Sequence, residues 1–376
     1  MADLAFTIDE YRNRLELIQR ELRAREIDVA IVDEPEMMGW LSGYWTTENL
    51  WRACAVPANG EPFLLVRKLD MAPAKERSWF EHIVGFLDWE DPLALLLRTA
   101  RSLDFALERV AVDFQSHSFT VARMRELREL LPHADIHDLN RTLWELRLCK
   151  SEEEIALMRR ASALVDQALA HAVSYIREGA LPRVVAAETA AQVLKLGFDD
   201  GFIGPITVAT GWDSLHGFMP ERPLKSGDLV HIELLPRLRG YSARIMRCVA
   251  VGGASPEQKR ITALLADIQD RQIEAMRPGA VASEIDSIVR RGVVEAGLRE
   301  SYENITGYTL GLTPITSQRT SDLHRCFTPK ADWKLESGMV FHVYTSAAGI
   351  ALSETVVVRE DGGERLTRSP RVLFER

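Results

Sequence analysis

The sequence has no excess of positive charge and no long apolar run. Its 376 residues include 46 Lys and Arg against 55 Asp and Glu, a formal net charge of −9. Because nucleic-acid binding needs a basic surface, this balance argues against a nucleic-acid partner. No apolar stretch approaches the roughly 20 residues of a membrane helix, and residues 1–14 lack the basic start and apolar stretch of a signal peptide. We therefore expect a cytoplasmic protein with no membrane partner.

Cysteine is scarce and scattered. Cys54, Cys149, Cys248 and Cys326 show no CxxC or Cys/His spacing, which favours reduced thiols over disulfides or a cysteine-bound metal.

The motifs of several enzyme classes are missing as well. The sequence contains no GxSxG, no Walker loop, no dinucleotide glycine fingerprint and no HExxH, so it gives no support to the enzyme classes that depend on them.

What is present begins with helices and strands that alternate over residues 1–148. Residues 8–26 have the amphipathic pattern of a helix, residues 28–32 read as a buried strand, and Asn59-Gly60 has the composition of a hairpin turn. RVAVDF and DIHDL are predicted to be later strands. This alternation predicts a first domain with an open α/β sheet.

A second domain is predicted over residues 149–376. Ser151 is a favourable N-cap followed by acidic residues, and a long amphipathic helix begins there. We therefore place the domain boundary between residues 148 and 149. Because no Pro-, Gly- or Ser-rich linker separates the two halves, we expect them to pack against each other.

The second domain contains an internal repeat. Residues 177–198 match residues 277–298, and LKSGDLVHIE (224–233) matches LESGMVFHVY (335–344). Two α/β units of equal topology, each too small to bury a sheet face alone, are expected to pair about a pseudo-twofold axis.

Positions that are equivalent in such a repeat face one another at its centre. Glu233 and Arg244 in the first copy, and Tyr344 and Ser353 in the second, are therefore expected to line one central cavity. The alternative is two ordinary units with no site between them.

The sequence resembles the creatinase/prolidase/methionine-aminopeptidase superfamily, whose fold is called pita-bread. The resemblance extends over the whole chain and is carried by the helix start KSEEEIALMRRA, the GD strand followed by Gly240-Tyr241 and Arg247, the GYTLGL loop and the GMVF strand. It implies a mixed α/β fold: a creatinase-like N-terminal α/β domain and a C-terminal pita-bread domain with the internal pseudo-twofold repeat. It also implies a central site and a homodimer.

The resemblance fails at the metal positions. Peptidases of this superfamily hold two divalent ions with Asp, Asp, His, Glu and Glu. The residues that correspond by motif are Glu233, Arg244, Tyr308, Tyr344 and Ser353. One carboxylate beside a guanidinium does not supply the converging ligands that two ions need. We therefore expect no metal ion and no other cofactor.

Three histidines are interpreted in different ways. His216 lies twelve residues before Asp228, a spacing that matches the catalytic histidine of metal-free creatinases and ectoine hydrolases. The resemblance thus implies a catalytic role for His216, with a structural role as the alternative. His231 and His342 alternate with apolar neighbours in matching strands, and we interpret both as satisfied core or supporting residues.

Within the superfamily, the ectoine hydrolases are the most similar branch. Their nucleophilic glutamate aligns with Glu233, and their Thr-Glu-Ser strand resembles residues 353–355. The two glutamates of creatinase correspond to Met246 and Leu352, which argues against creatine as the substrate.

A pocket that keeps a carboxylate without metal ions needs another cation. A planar amidinium or guanidinium fits, because it donates parallel N–H bonds to a carboxylate. We therefore expect a small zwitterionic or amidine substrate. Arg244 is the first candidate to bind its carboxylate, followed by Arg319, for which a solvated surface position is an equal alternative.

Tyr44, Trp45 and Trp51 form an aromatic cluster. Such clusters are mostly core. The alternative, implied by the resemblance, is that Trp45 contacts substrate in the partner subunit of a homodimer through a cation–π interaction.

The predicted function is metal-independent hydrolysis of a small cyclic amidine or a related non-peptide C–N bond, as in ectoine hydrolases. Glu233 is expected to act as nucleophile or general base, His216 to move protons, and Glu354 to hold the amidinium or orient a partner. Tyr308 and Tyr344 are expected to close the cavity. Two alternatives stay open: a non-catalytic protein that binds a small zwitterion, and an Xaa-Pro peptidase-like enzyme with marginal metal use.

Overall fold

The computed structural model describes residues 2–45 and 50–376, which fold into two compact units. The N-terminal unit contains Met1–Arg147 together with Leu312–Thr320, and the C-terminal unit contains Leu148–Gly311 and Ser321–Arg376. The segment Leu312–Thr320 is far from the rest of its unit in sequence but is bound to it in space. Its Leu312 carbonyl accepts a hydrogen bond from the Arg147 guanidinium at 2.5 Å.

The N-terminal unit is built on a six-stranded mixed sheet in the order β4-β3-β2-β1-β5-β6. Its strands are β1 (Val29–Val32), β2 (Ala53–Pro57), β3 (Phe63–Arg67), β4 (His82–Phe86), β5 (Arg109–Val112) and β6 (Asp135–Asp138). Its helices are α1 (Ile8–Ala24), α2 (Pro35–Ser42), α3 (Met71–Arg77), α4 (Pro92–Ser102), α5 (Val121–Leu130) and α6 (Thr142–Leu146).

The local patterns of this half predict its elements correctly. The predicted hairpin is β2–β3, with an antiparallel register that pairs Ala53 with Leu65. Gly60 in its turn has φ 98°, a conformation that glycine adopts without steric cost. The central strand β1 pairs parallel with β5 and antiparallel with β2, so the sheet is mixed.

The C-terminal unit combines four helices with eleven strands among the described residues. The helices are α7 (Glu152–Tyr175), α8 (Pro182–Lys195), α9 (Pro256–Ala275) and α10 (Ala282–Glu295). The strands are β7 (Ile206–Val208), β8 (Leu229–Leu234), β9 (Arg237–Leu238), β10 (Tyr241–Ser242), β11 (Ile245–Ala250), β12 (Gly307–Thr309), β13 (Cys326–Phe327), β14 (Val340–Ala347), β15 (Ile350–Arg359), β16 (Gly362–Arg365) and β17 (Phe374–Glu375).

These strands form a four-stranded sheet in the order β17-β11-β8-β7, a five-stranded sheet in the order β13-β12-β14-β15-β16, and the small β9–β10 pair. Ser151 begins α7 with a capping box that includes Glu154, as the sequence predicts. None of the helices in residues 2–45 and 50–376 combines the length and the apolar character needed to cross a membrane.

The internal repeat is visible in the fold. Helices α7–α8 precede β7, β8 and β11, and helices α9–α10 precede β12, β14 and β15, in the same order. The paired glycines adopt the same left-handed conformation: φ is 79° at Gly179 and 85° at Gly279, and 90° at Gly197 and 68° at Gly297. Strand β11 of the first copy packs beside β15 of the second, so the two copies meet at the centre of the unit.

Candidate active site

Glu233 lies near the end of β8, where the first copy meets the second. Its cross-strand neighbour is Met246 on β11. The Glu233 N–H donates to the Pro205 carbonyl at 2.9 Å, and a Cβ on Gly204 would come within 2.4 Å of the Glu233 carbonyl oxygen. This close approach fixes the backbone that carries the carboxylate. The side chain is only 4% exposed, and burial raises its pKa above the usual range for a glutamate, while the charges of Arg244 and His216 oppose the rise.

Arg244 places a buried guanidinium beside that carboxylate. Its Nη1 lies 3.5 Å from Glu233 Oε1 and donates a 2.7 Å hydrogen bond to the Tyr308 hydroxyl. The backbone of Arg244 is held on both sides by Thr355 of β15, whose hydroxyl accepts from the Arg244 N–H at 2.9 Å and donates to the Arg244 carbonyl at 3.0 Å. The guanidinium therefore starts from a backbone that is fixed to the opposite repeat.

His216 approaches the same carboxylate from the solvent side. Its Nε2 lies 3.9 Å from Glu233 Oε2, and its side chain is 82% exposed. The ring follows a short 3₁₀ turn, Trp212–Ser214, and reaches the site from a loop rather than from a strand. The geometry thus brings His216, Glu233 and Arg244 together, with the carboxylate between the two other groups.

The second copy contributes neutral rings. Tyr308 on β12 and Tyr344 on β14 have ring centroids 6.2 Å apart, and the His342 ring lies 5.0 Å from the first and 5.4 Å from the second. Burial raises the pKa of Tyr308 to about 12 and raises that of Tyr344 as well. Burial, together with the charge of Arg244, lowers the pKa of His342 well below its usual value. All three side chains are therefore uncharged at neutral pH.

The two ring nitrogens of His342 and the hydroxyl of Ser353 are among the buried polar atoms of this copy that have no hydrogen-bond partner within the described part of the chain. The sequence pattern placed His342 correctly in the interior. Of its two interpretations, a ring without a partner among the described residues favours the supporting role over the satisfied core role. Its position two residues before Tyr344 is the signal for its orientation, because side chains at i and i+2 of a strand share a face. His342 was therefore missed as a residue of the site.

Glu354 lies on the other face of β15 from Ser353. Its carboxylate accepts a 2.7 Å hydrogen bond from Arg247 Nη2 and a hydrogen bond from the Thr367 hydroxyl, and its side chain is fully buried. A carboxylate that is paired in this way is held inside the structure. The structure does not bring Glu354 to Glu233.

Trp45 and Arg319 belong to the N-terminal unit. The Trp45 carbonyl accepts a 2.8 Å hydrogen bond from the Thr316 hydroxyl. The Arg319 guanidinium lies 3.6 Å from Glu34 Oε1 and over the Trp144 ring, 4.8 Å from its centroid. Within their own unit, both residues thus have contacts that hold them in place, and their predicted contact with substrate stays a prediction.

The residues at the centre form a poor donor set for a metal site. Across residues 2–45 and 50–376, no group of three or more His, Cys, Asp or Glu side chains is placed to hold a metal ion. At the centre, the single carboxylate of Glu233 faces the guanidinium of Arg244, which would repel a dication. The residues present therefore do not fit a pair of divalent ions.

What the arrangement can do is acid–base chemistry beside a fixed positive charge. A buried carboxylate with a raised pKa is a stronger base than an exposed one. The guanidinium and the Tyr308 hydroxyl are donors for an oxygen that becomes negative during a reaction. Such a set suits the attack of water on a polarised carbon such as that of a carbonyl group.

Two family models match the chain. Residues 14–149 match the creatinase/prolidase N-terminal domain, and residues 156–360 match metallopeptidase family M24. An uncharacterized peptidase of Staphylococcus epidermidis is 25% identical over 363 residues, covering 94% of this chain and 99% of the relative. An uncharacterized peptidase of Staphylococcus aureus is 27% identical over 355 residues, covering 92% and 96%.

Solved structures show the same fold. The X-Pro aminopeptidase from Thermotoga maritima superposes with a TM-score of 0.83 at 21% identity, covering 96% of this chain and 99% of that one. The Xaa-Pro dipeptidase from Bacillus anthracis superposes with a TM-score of 0.81 at 21% identity, covering 97% and 100%. The predicted mixed α/β fold, with a creatinase-like N-terminal domain and a pita-bread C-terminal domain, is confirmed.

The predicted hydrolysis of a cyclic amidine or another non-peptide C–N bond is wrong. The matched family is one of peptidases, and both sequence relatives carry that name. An amide and an amidine both present a polarised carbon bonded to nitrogen, so a carboxylate beside a guanidinium could not separate the two substrates. The resemblance to the ectoine-hydrolase branch stays a prediction from the sequence. The family model matches more than half of the residues of this chain, so the chain belongs to metallopeptidase family M24.

Proposed function

We propose that this protein is a peptidase-like hydrolase of short peptides, with bonds that precede proline as the first substrates to consider. The observation that carries the proposal is the position of the Glu233 carboxylate, 3.5 Å from Arg244 and 3.9 Å from His216 inside the matched domain. The names of the relatives supply the bond type, and the X-Pro and Xaa-Pro enzymes that share the fold supply the preference for proline.

In this reaction Glu233 acts as the general base. Its carboxylate accepts a proton from a water molecule as the water oxygen attacks the peptide carbonyl carbon. His216 is placed on the other side of the carboxylate, towards solvent, where an imidazole can give a proton to the departing amine. The raised pKa of Glu233 favours the base role, because a more basic carboxylate takes a proton from water more readily.

The test is to incubate the protein with Xaa-Pro dipeptides, X-Pro tripeptides and matched peptides without proline. Cleavage is measured as the release of the free amine. We expect turnover of at least one proline peptide. Glu233→Gln keeps the shape of the side chain but removes the base, so kcat should fall by about 10²-fold or more. Glu257→Gln is the matched control, since that glutamate is exposed on α9 and paired with Arg260, and its kcat should equal that of the wild type.

Binding without turnover is the second candidate, because the donor set does not fit the metal ions of the family. Calorimetry with the same peptides separates the two functions. Micromolar affinity with no amine release would replace the hydrolase by a peptide-binding protein. Neither binding nor release for any peptide in the panel would refute both.

We also propose a homodimer, in which Trp45 of the N-terminal unit lies near the partner's cavity. The resemblance to creatinases and prolidases supports this assembly. Light scattering at micromolar concentration should give twice the mass of 42.4 kDa, and a monomeric mass would contradict it.

A further inference from the structure

We propose that the Arg244 guanidinium supplies the fixed positive charge of this site, so that the protein polarises its substrate's carbonyl group without a divalent ion. The inference rests on the proposed function for the identity of the substrate. Beyond that function, one side chain, Arg244, is assigned the task of polarising the carbonyl group, and the activity is expected not to depend on a metal ion.

The positive charge of Arg244 lies next to the buried carboxylate. Members of the family are described as metallopeptidases, which implies a cationic centre in the matched domain. In this chain the position next to the buried carboxylate is taken by the Arg244 guanidinium, 3.5 Å from Glu233 Oε1. Two dications in the same space would face a positive charge and one carboxylate, an arrangement that Coulomb repulsion disfavours.

The Arg244 guanidinium is also held in place. Its backbone bonds on both sides to the Thr355 hydroxyl of the opposite repeat, and its Nη1 donates to the Tyr308 hydroxyl. Its side chain is only 5% exposed. A charge that is fixed before the reaction needs no reorganisation during it, which is the main advantage of a preorganised electrostatic site.

The aromatic rings near the guanidinium are neutral. The rings of Tyr308, Tyr344 and His342 face this region and are uncharged at neutral pH, so among them no anion competes for the guanidinium. An arginine side chain stays protonated even when it is buried, unlike a lysine. Beside its contact with Glu233, the guanidinium therefore faces neutral rings, and it can also donate to a substrate oxygen.

Hydrolysis of the peptide bond can proceed with these side chains and one water molecule, without a metal ion. An Arg244 N–H and the Tyr308 hydroxyl donate to the carbonyl oxygen as the water oxygen bonds to the carbonyl carbon, and Glu233 takes the water proton. The oxyanion then collapses and the C–N bond breaks. The amine nitrogen takes a proton from the His216 imidazolium, and the Glu233 proton restores that imidazolium. One water is consumed, and one carboxylic acid and one amine are formed.

The first experiment measures metal directly. Elemental analysis of the purified protein and calorimetric titration with Mn²⁺ and Zn²⁺ should show no stoichiometric binding. Stoichiometric binding of either ion to the wild type overturns the inference, whether or not peptides are cleaved. If the wild type cleaves no peptide, the proposed function fails, and this titration still decides the present inference.

The second experiment is chemical rescue. Arg244→Ala should lower kcat on the best peptide by about 10²–10³-fold, the usual effect of removing an oxyanion donor. Millimolar free guanidinium should restore part of kcat, whereas Mn²⁺ should not. Rescue of the variant by Mn²⁺ alone, or unchanged kcat in Arg244→Ala, would overturn the inference.

A second variant covers the case in which Arg244→Ala does not fold, as judged by circular dichroism. Arg244→Lys keeps the charge but loses the fork geometry, so its kcat should lie between those of the wild type and Arg244→Ala, and chelators should not change it. Loss of activity on chelation in the wild type or in the Lys variant contradicts the inference. Arg260→Ala, in the exposed pair on α9, is the control that should behave as the wild type does.

Discussion

The hairpins β8–β11 and β14–β15 share strand order and antiparallel register, yet they carry opposite kinds of side chain. At matching positions the first presents Glu233, opposite Met246, and the second presents Tyr344, opposite Ser353. The first hairpin thus carries a base, with a guanidinium supplied just before β11, and the second carries neutral rings. A symmetric backbone can therefore form one asymmetric site. One copy supplies the charged groups, and the other supplies neutral side chains whose low dielectric strengthens the interactions between those charges.

The largest expected effect comes from removing the charge balance of the first hairpin. Arg244→Met leaves the Glu233 carboxylate buried without its guanidinium, so at pH 8 the free energy of unfolding should fall by about 3–5 kcal/mol. Tyr344→Phe in the second hairpin removes only a hydroxyl that accepts a 3.4 Å hydrogen bond from Asn304, and should cost about 1 kcal/mol or less. Urea unfolding of both variants measures the difference.

The matched control is Arg260→Met, which breaks an exposed pair on α9 and should change the free energy of unfolding by less than about 0.5 kcal/mol. Equal losses in Arg244→Met and Arg260→Met would mean that the first hairpin is not held by its charges.

The second expected effect is an opposite pH dependence of the two copies. Burial raises the pKa of Glu233, so its proton is held more tightly in the folded state, and its contribution to stability is lost as pH rises above about 4.3. Burial and Arg244 lower the pKa of His342, so the unfolded state takes up a proton more readily, and stability is lost as pH falls below about 6.5.

Unfolding free energies from pH 4 to pH 8 test this opposition. The difference between wild type and Glu233→Gln should fall with rising pH, and that between wild type and His342→Phe should rise, each by at most about 1.4 kcal/mol per pH unit. Parallel slopes for the two variants would show that the copies do not differ electrostatically. Ser353→Ala serves as the control, because it changes no titrating group.

The smallest expected effects lie two residues apart on β15. Thr355 bonds to both backbone groups of Arg244, so Thr355→Val should cost about 1–2 kcal/mol. The Ser353 hydroxyl has no partner within the described residues, so Ser353→Ala should stay within about 0.5 kcal/mol of the wild type. Thermal unfolding followed by circular dichroism compares them. A larger loss for Ser353→Ala than for Thr355→Val would refute the assignment of the contact between copies to Thr355.

Sequence patterns predict the features that depend on neighbours along the chain. The hairpin turn at Gly60, the Ser151 cap and the paired glycines of the repeat are local, because each is set by the conformation of a few residues. The repeat also predicts which residues are central, since Glu233 and Tyr344 occupy equivalent positions. This explains why the fold class could be predicted from the sequence.

Features that depend on the orientation of side chains were less accessible. Ser353 and Glu354 are adjacent, so on a strand only one of them can face the site, and the buried pair between Glu354 and Arg247 shows which does not. The neighbours of His342 in the sequence are apolar, which suggests a core residue. That its ring nitrogens have no protein partner among the described residues is visible only in the structure. The type of bond that is cleaved depends on the substrate. The side chains around Glu233 do not specify that bond.

The segment Leu312–Thr320 has a consequence for the order in which the protein is made. The N-terminal unit ends its first stretch at Arg147 and is completed by a segment that ends at Thr320, 173 residues later (320 minus 147). At about 5–20 residues per second, a ribosome needs roughly 10–35 seconds to reach that point. During this interval the nascent unit lacks Arg319, the guanidinium that lies beside Glu34 in the finished protein. Until then a growing chain exposes the surface of its N-terminal unit that Leu312–Thr320 later covers.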